Sequence, residues 1–211
     1  MTLKPSRATR SLTWKKNRIM QAIKILGIGV AGLSALVAVA AHGQDPTAAS
    51  KAPKVEAVAD ASGNLHVPDA YRTTYQALGT WAVAADQAKG SKELHVVYAS
   101  PGAITDFRRD GRFPDGTVLV KEVFQAVTGG LTTGTVSHAD TLQGWFVMVK
   151  DSNDRYAGNK LWGDGWGWSW FEAANPSKTT STDYRTDCLA CHVPARATDW
   201  VYVDGYPLLK R

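Results

Sequence analysis

The only two cysteines of the 211-residue chain lie in one pentapeptide near its end, Cys188-Leu189-Ala190-Cys191-His192. Two thiols at this spacing can add to the vinyl groups on one edge of a haem, while the adjacent imidazole reaches the iron from one face. A disulfide, a redox dithiol or half of a zinc site would use the same residues. The sequence lacks the strand–helix pattern typical of a redox dithiol and the further ligands that zinc needs. We therefore expect one covalently attached haem c, with Cys188 and Cys191 binding the cofactor and His192 binding the iron.

Charge divides the chain into a basic beginning and a slightly acidic remainder. The formal net charge is +5, but seven basic residues precede the first acid, Asp45, so the remaining chain is more acidic than basic. This distribution argues against nucleic acid as a partner. An uncharged apolar run at residues 25–41 ends in small residues, as secretory signals do. We expect residues 1–43 to be a signal peptide or an uncleaved membrane anchor, and the folded part to be periplasmic.

Patterning after the export segment predicts one β-rich domain. Residues 44–64 are rich in Ala, Pro, Lys, Asp and Ser and predict a flexible linker, which leaves residues 65–211 as the haem domain. Strands are predicted at residues 94–98, 117–127, 145–149 and 165–171, and helix at 71–88 and 104–109. In the last strand, alternation places Trp166, Trp168 and Trp170 on one face. The expected fold class is α+β and β-rich, an antiparallel sheet with a few helices and a C-terminal haem-attachment segment.

The residue on the other side of the iron separates an electron carrier from a ligand-binding protein. Carriers fill that position with Met or His. Beyond the export segment Met148 is the only methionine, and its surroundings favour a core side chain. His66 and His138 lie in polar, loop-like contexts, whereas His95 lies within a strand and can face either the core or the haem. No strong sixth ligand is evident, so we expect an open iron that binds small molecules.

A lysine and a glutamate are adjacent within a strand whose two faces are both largely apolar. Lys121 shares its face with Leu119 and Val123, and Glu122 shares the other with Val118 and Val120. One of the two charges is therefore expected to be buried or at the mouth of a pocket. An edge-strand lysine that extends its ammonium group to water would give the same pattern. Desolvation would instead leave Lys121 a nucleophilic amine.

Several ordered blocks between about Val67 and Leu209 carry a resemblance to a known family: Gly79-Thr80-Trp81, Val97-Tyr98, Phe113 to Glu122, Val149 to Ser152, Arg155-Tyr156-Ala157, the tryptophan-rich strand, the pentapeptide, Thr198-Asp199, Val201 and Tyr206-Pro207. In these blocks the sequence resembles the cytochrome P-460 family of bacterial haem proteins. The resemblance implies a β-rich, dimeric, periplasmic monohaem protein in which a lysine nitrogen is bonded to a haem meso carbon, and Lys121 falls on that lysine. It also implies an open distal site that binds hydroxylamine or nitric oxide, with oxidation of the substrate and transfer of electrons to a soluble acceptor such as another cytochrome.

The resemblance suggests further site residues and leaves alternatives open. His95 stands where hydroxylamine-oxidising members have an arginine, so it is a candidate for distal proton handling. The candidate carboxylate bases are Glu172, Asp183 and Asp187, for each of which a solvated surface acid is the alternative. Phe107 and Phe113, with the three tryptophans, are candidates to cap the haem, as phenylalanines do in the related cytochrome c′-beta proteins, or to pack in the core. A gas-binding protein of the cytochrome c′-beta type and a simple electron carrier are the competing functions.

Overall fold

A computed structural model of the chain describes residues 58–210. The predicted signal peptide and most of the predicted linker lie outside these residues. Val58 and Ala59 are buried, and an isolated β-bridge joins Ala59 to Leu65. Residues 58–64, which the sequence assigned to the linker, therefore pack against the domain. Within residues 58–210, no helix has the length and apolar character required to span a membrane.

Six antiparallel strands form a single sheet, which confirms the predicted β-rich α+β class. Their order across the sheet is β1-β2-β3-β4-β6-β5. The strands are β1 (Gln76–Ala84), β2 (Ser91–Ala99), β3 (Val118–Leu131), β4 (Gly134–Lys150), β5 (Trp162–Gly163) and β6 (Trp166–Glu172).

Alternation along the central strands produces a hydrophobic core on each face of the sheet. Lys121 lies between Val97 of β2 and Phe146 of β4, so these three side chains share one face. On that face Leu119, Met148 and Trp168 belong to the first core, whereas their neighbours Val120 and Val147 belong to a second core on the opposite face. The opposite face also carries Glu122, which is buried.

Short helical segments cover the face that carries Lys121. The predicted turn at residues 104–109 is confirmed as α2 (Ala103–Asp110), which lies between Gly102 and Gly111, both in the left-handed conformation. Two further helices, α3 (Tyr184–Asp187) and α4 (Leu189–His192), carry the pentapeptide, with Cys188 between them. The chain then continues through short 3-10 helices at Val193–Thr198, Val203–Gly205 and Pro207–Leu209.

The predicted helix at residues 71–88 is wrong beyond its first turn. Helix α1 spans only Tyr71–Thr74, and the strand β1 begins at Gln76. Tyr71, Tyr75 and Leu78 have helical spacing, but pairing of β1 with β2 decides the outcome, since partner strands routinely override weak local preference. A side chain at Gly79 would crowd the Gly205 carbonyl oxygen, so the glycine permits a close approach of backbone here rather than ending a helix.

The hairpin of β3 and β4 extends well beyond the predicted strands. Pairing continues to Leu131 and Gly134, although residues 128–144 show no apolar alternation. This outer half is largely exposed, with Leu131 64% accessible. Ladder hydrogen bonds between the two strands maintain it without a core, and such a strand leaves no hydrophobic periodicity in the sequence.

Candidate functional site

The pentapeptide faces a cavity of about 400 Å³ against the sheet. Cys188, Cys191 and His192 line one side of it, and side chains of β1 to β4 and β6 line the other. This volume falls in the range of small-molecule and cofactor sites, which are concave and mostly apolar. Among the described residues the cavity brings together seven predicted side chains: His95, Lys121, Trp168, Asp187, Cys188, Cys191 and His192.

The two cysteines are free thiols and differ in accessibility. Cys188 is buried, and its burial raises the pKa of the thiol to about 11. Cys191 is exposed on α4, and its carbonyl oxygen accepts a hydrogen bond from the Tyr202 hydroxyl at 2.5 Å. Since one cysteine lies deep and the other at the surface along the same wall, the pair can bind one edge of a ligand that enters the cavity.

His192 has one ring nitrogen occupied and one available. Its Nδ1 lies 2.7 Å from the carbonyl oxygen of Trp200, an acceptor, so Nδ1 carries the proton and Nε2 keeps its lone pair. Burial lowers the pKa of His192, which keeps the imidazole neutral. The ring also meets the Trp168 ring edge to face, with 4.9 Å between centroids. A neutral imidazole with a directed free nitrogen suits a metal ligand. Sequence reasoning missed the role of Trp200 because a backbone acceptor leaves no residue signature.

Lys121 is an amine among apolar neighbours. Its Nζ lies 4.2 Å from the centroid of the Phe146 ring, and within residues 58–210 it has no hydrogen-bond or ion-pair partner. Burial lowers the pKa of Lys121 and so favours the neutral, nucleophilic amine. Of the two neighbouring charges in β3, Lys121 therefore lines the cavity while Glu122 is buried on the other face. Phe146 was not predicted as a site residue, although its register with Lys121 follows from the hairpin.

His95 lines the cavity and has a carboxylate as its hydrogen-bond partner. Its Nε2 lies 2.9 Å from the Glu93 carboxylate, two residues earlier on β2 and on the same face. Burial lowers the pKa of His95, the Glu93 hydrogen bond opposes this shift, and the charge of Lys121 adds to it. The imidazole is thus predominantly neutral at pH 7 and able to accept a proton. Sequence reasoning left the orientation of His95 open and did not select Glu93, which alternation along β2 puts on the same face as His95.

The three predicted acids differ in position. Glu172 is exposed at the end of β6, and Asp183 is the N-cap of α3, where it accepts a hydrogen bond from the Arg185 amide; neither lines the cavity. Asp187 does line it, but its carboxylate accepts hydrogen bonds from the Thr182 and Asp183 amides and the Thr186 hydroxyl. These donors lower the pKa of Asp187 to about 2, which makes it a weak base.

Other predicted residues lie in the core or at the surface. Phe107 and Phe113 do not line the cavity; their rings pack 4.5 Å apart in the first core, and Phe113 contacts Trp166. Met148 is buried in that core and also lines the cavity. His138 is exposed on the outer hairpin and His66 is half-buried outside the site. Of the three tryptophans, Trp168 lines the cavity, Trp166 is in the core, and Trp170 packs on Phe146.

The residues around the cavity fit a haem. Both thiols and the free imidazole nitrogen, which are the groups that a c-type haem requires, face the same space. Trp168, Phe146 and Leu119 supply apolar and aromatic walls for a flat ring system. The described chain forms no group of three or more His, Cys, Asp or Glu side chains able to hold a metal ion by themselves.

An antiparallel-sheet protein that presents this pentapeptide to an apolar cavity belongs to the class of c-type haem proteins. The sequence model of the family described as Cytochrome P460 matches residues 68–203, well over half of the chain. The chain therefore belongs to the cytochrome P460 family, which implies a haem cofactor and haem-dependent redox chemistry. Comparison with curated proteins found no match.

Proposed function

We propose that this protein is an exported, periplasmic haem c cytochrome with an open distal site that oxidises hydroxylamine, nitric oxide or both. Electrons pass to a soluble acceptor such as another cytochrome, and the protein acts as a homodimer. The observation that carries the proposal is Lys121, a desolvated amine without a polar partner in the cavity that holds Cys188, Cys191 and His192. A simple electron carrier has no evident use for such a group.

Each group of the site has a distinct task. Cys188 and Cys191 would hold the haem as thioethers, and His192, whose ring is oriented by its Nδ1 hydrogen bond to the Trp200 carbonyl, would bind the iron through Nε2. The haem supplies the electron storage and the binding of the nitrogen–oxygen substrate. The aromatic walls exclude water from the face of the ring.

Lys121 is proposed to form a third covalent link to the cofactor. Its Nζ bonds to a meso carbon while one N–H and one C–H bond are lost, which releases two protons and two electrons. An oxidant of the dioxygen or peroxide class accepts the electrons. The neutral amine favoured by burial is the nucleophilic form for this bond. Such a link distorts the macrocycle, one of the ways in which a protein tunes haem iron.

His95 is proposed to accept the substrate protons. Oxidation of two hydroxylamine molecules to one nitrous oxide and one water releases four electrons and four protons, so the site needs a base. The His95 imidazole lines the cavity, is held by Glu93 at 2.9 Å and has a lowered pKa. A base whose pKa lies near or below the working pH can accept a proton repeatedly. Asp187 is less suited because its carboxylate already accepts four hydrogen bonds.

The decisive experiment combines intact mass and absorption spectroscopy of the holoprotein. We expect haem attachment with the loss of two hydrogens beyond the thioethers, a peptide that joins Lys121 to haem, and a strongly red-shifted Soret band. Lys121→Met should abolish the loss of two hydrogens, the peptide joined to haem and the red shift, while the haem stays attached through its thioethers. Lys92→Met, on an exposed lysine paired with Asp86, is the matched control. A normal c-type spectrum that Lys121→Met leaves unchanged contradicts the cross-link.

A non-enzymatic gas-binding protein is the second candidate. It is favoured by the absence of Glu172 and Asp183 from the cavity and by the engaged carboxylate of Asp187. This alternative predicts nitric oxide or carbon monoxide binding without hydroxylamine turnover in the presence of an electron acceptor. A six-coordinate spectrum that changes only in Met148→Leu would contradict both candidates and indicate an electron carrier, since Met148 also lines the cavity.

A further inference from the structure

The peptide unit that holds His192 has an uncommon backbone. Trp200, whose carbonyl oxygen accepts the His192 Nδ1 hydrogen bond, has a φ of 67°, and the preceding Asp199 has a φ of 57°. Consecutive left-handed residues other than glycine are unfavourable, and tryptophan is a poor choice for this region. Such a conformation persists only where surrounding contacts impose it. The contacts of Asp199 and Trp200 therefore show which residues hold the Trp200 carbonyl oxygen in place.

A buried ion pair with the sheet holds Asp199. The Lys150 Nζ lies 2.7 Å from Asp199 Oδ1, and the Phe113 amide donates to Asp199 Oδ2 at 2.9 Å. The two charged side chains are only 9% and 2% exposed. Lys150 Nζ also lies 4.9 Å from the centroid of the Trp166 ring, which gives the ammonium a second favourable contact.

The position of Lys150 is in turn fixed by the sheet. Lys150 is the last residue of β4, and its amide donates to the Thr117 carbonyl while its own carbonyl accepts from the Gly116 amide. A continuous set of contacts thus runs from the end of β4 through Lys150 and Asp199 to the Trp200 carbonyl and His192. The Trp200 amide donates to the Ala195 carbonyl and so ties Trp200 to the preceding 3-10 helix.

We infer that Lys150 is a positioning residue for the haem ligand, acting through Asp199 on the Trp200 carbonyl that orients His192. This inference rests on ligation of the iron by His192 but not on the Lys121 cross-link or on hydroxylamine oxidation. Burying two charges is expensive, and a buried ion pair often contributes little net stability compared with apolar side chains. The Lys150–Asp199 ion pair instead holds the Trp200 carbonyl oxygen in line with Nδ1 of His192. That hydrogen bond fixes the tautomer of the imidazole and makes Nε2 a stronger electron donor.

The test compares two substitutions, one of a lysine and one of an arginine, that each leave a buried carboxylate without its cationic partner. Lys150→Met removes the partner of Asp199, and Arg72→Met removes the partner of Glu122 on the opposite face of the sheet. Both are measured as ferrous and ferric holoprotein by resonance Raman spectroscopy and by redox titration. In Lys150→Met we expect the iron–histidine stretching frequency to fall and the midpoint potential to rise, because the imidazole loses its aligned acceptor and donates less strongly. Arg72→Met should leave both unchanged.

Two further variants keep the inference open to refutation if Lys150→Met folds poorly. Lys150→Arg should keep the iron–histidine stretching frequency of the native protein, since the guanidinium can also bind the Asp199 carboxylate. Lys150→Met combined with Asp199→Asn removes both charges and should fold, yet still show the lowered frequency. If either Lys150→Met protein has the iron–histidine frequency and potential of Arg72→Met, Lys150 is a structural residue and the inference is wrong. Absence of hydroxylamine turnover in the native holoprotein, together with the expected shifts of frequency and potential in Lys150→Met, would count against the proposed function alone.

Discussion

Deletion of one hydroxyl group, in Tyr71→Phe, should be among the most destabilising conservative changes in this protein. The Tyr71 hydroxyl donates to Glu122 Oε1 at 2.5 Å and accepts from the Trp145 indole at 2.8 Å. Tyr71, Glu122 and Trp145 are all buried, so water replaces neither lost bond. A hydrogen bond to a charged acceptor contributes about 1.5–3 kcal/mol, and an orphaned buried donor costs about 1–3 kcal/mol. The sum predicts a loss of about 2.5–6 kcal/mol in the free energy of unfolding.

Tyr75→Phe is the matched control, because Tyr75 is half-buried and its hydroxyl has no hydrogen-bond partner among the described residues. Removal of the Tyr75 hydroxyl should change the free energy of unfolding by well under about 1 kcal/mol, as an ordinary surface substitution does. The assay is urea unfolding of both holoproteins, supported by thermal unfolding, in which Tyr71→Phe should lower Tm by on the order of 10 °C relative to the control. The haem spectrum should not change, since Tyr71 belongs to the core on the face opposite the cavity. Equal stability of the two variants would refute the assignment of this network.

Three further predictions concern pH and packing. Burial raises the pKa of Tyr206 to about 12, so its contribution to stability is complete below pH 10 and is lost as the pH rises towards 12; Tyr206→Phe should flatten this limb in alkaline unfolding. Hydrogen bonds lower the pKa of Asp187 to about 2 from 3.8, so its contribution is present above about pH 4 and is lost as the pH falls towards 2; Asp187→Asn should reduce the acid sensitivity of unfolding over that window. In Gly144→Ala the added methyl group would clash with the Phe171 carbonyl oxygen of the neighbouring strand, so we expect reduced stability and less haem bound per molecule of purified protein. Gly130→Ala, in the open outer hairpin, is the control and should keep the stability and haem content of the native protein.

The sequence predicts those parts of the fold in which periodicity and pairing agree. Strands β2 and β3 are rich in β-branched residues, β6 alternates large and small residues, and each is present near its predicted place. The strand β1 was missed because Tyr71, Tyr75 and Leu78 have helical spacing by coincidence, and only its pairing with β2 distinguishes the two structures. The outer half of the β3–β4 hairpin was missed because both of its faces are largely exposed.

The site divides in the same way between local and long-range information. The pentapeptide specifies its own chemistry, and alternation on β3 indicates that either Lys121 or Glu122 is desolvated. The acid candidates near the pentapeptide were harder to place, since nothing in the sequence shows that Asp183 caps a helix or that amides surround the Asp187 carboxylate. The Trp200 carbonyl could not have been predicted, because its position depends on two left-handed residues and on an ion pair between residues 49 positions apart.

The two faces of the sheet surround a charged side chain with different neighbours, and this contrast bears on the reactivity proposed for Lys121. Glu122 is surrounded by donors from Tyr71, Arg72 and Tyr98, so its charge is satisfied and the second core remains intact. Lys121, one residue earlier, lies over the face of Phe146 and has no hydrogen-bond or ion-pair partner in the part of the chain that the structure describes. An amine that lacks a polar partner is destabilised in its charged form, and covalent attachment to a cofactor would remove that penalty permanently. Because neighbouring residues of a strand point to opposite faces, burial of the paired Glu122 on one face places the adjacent Lys121 at the cavity on the other.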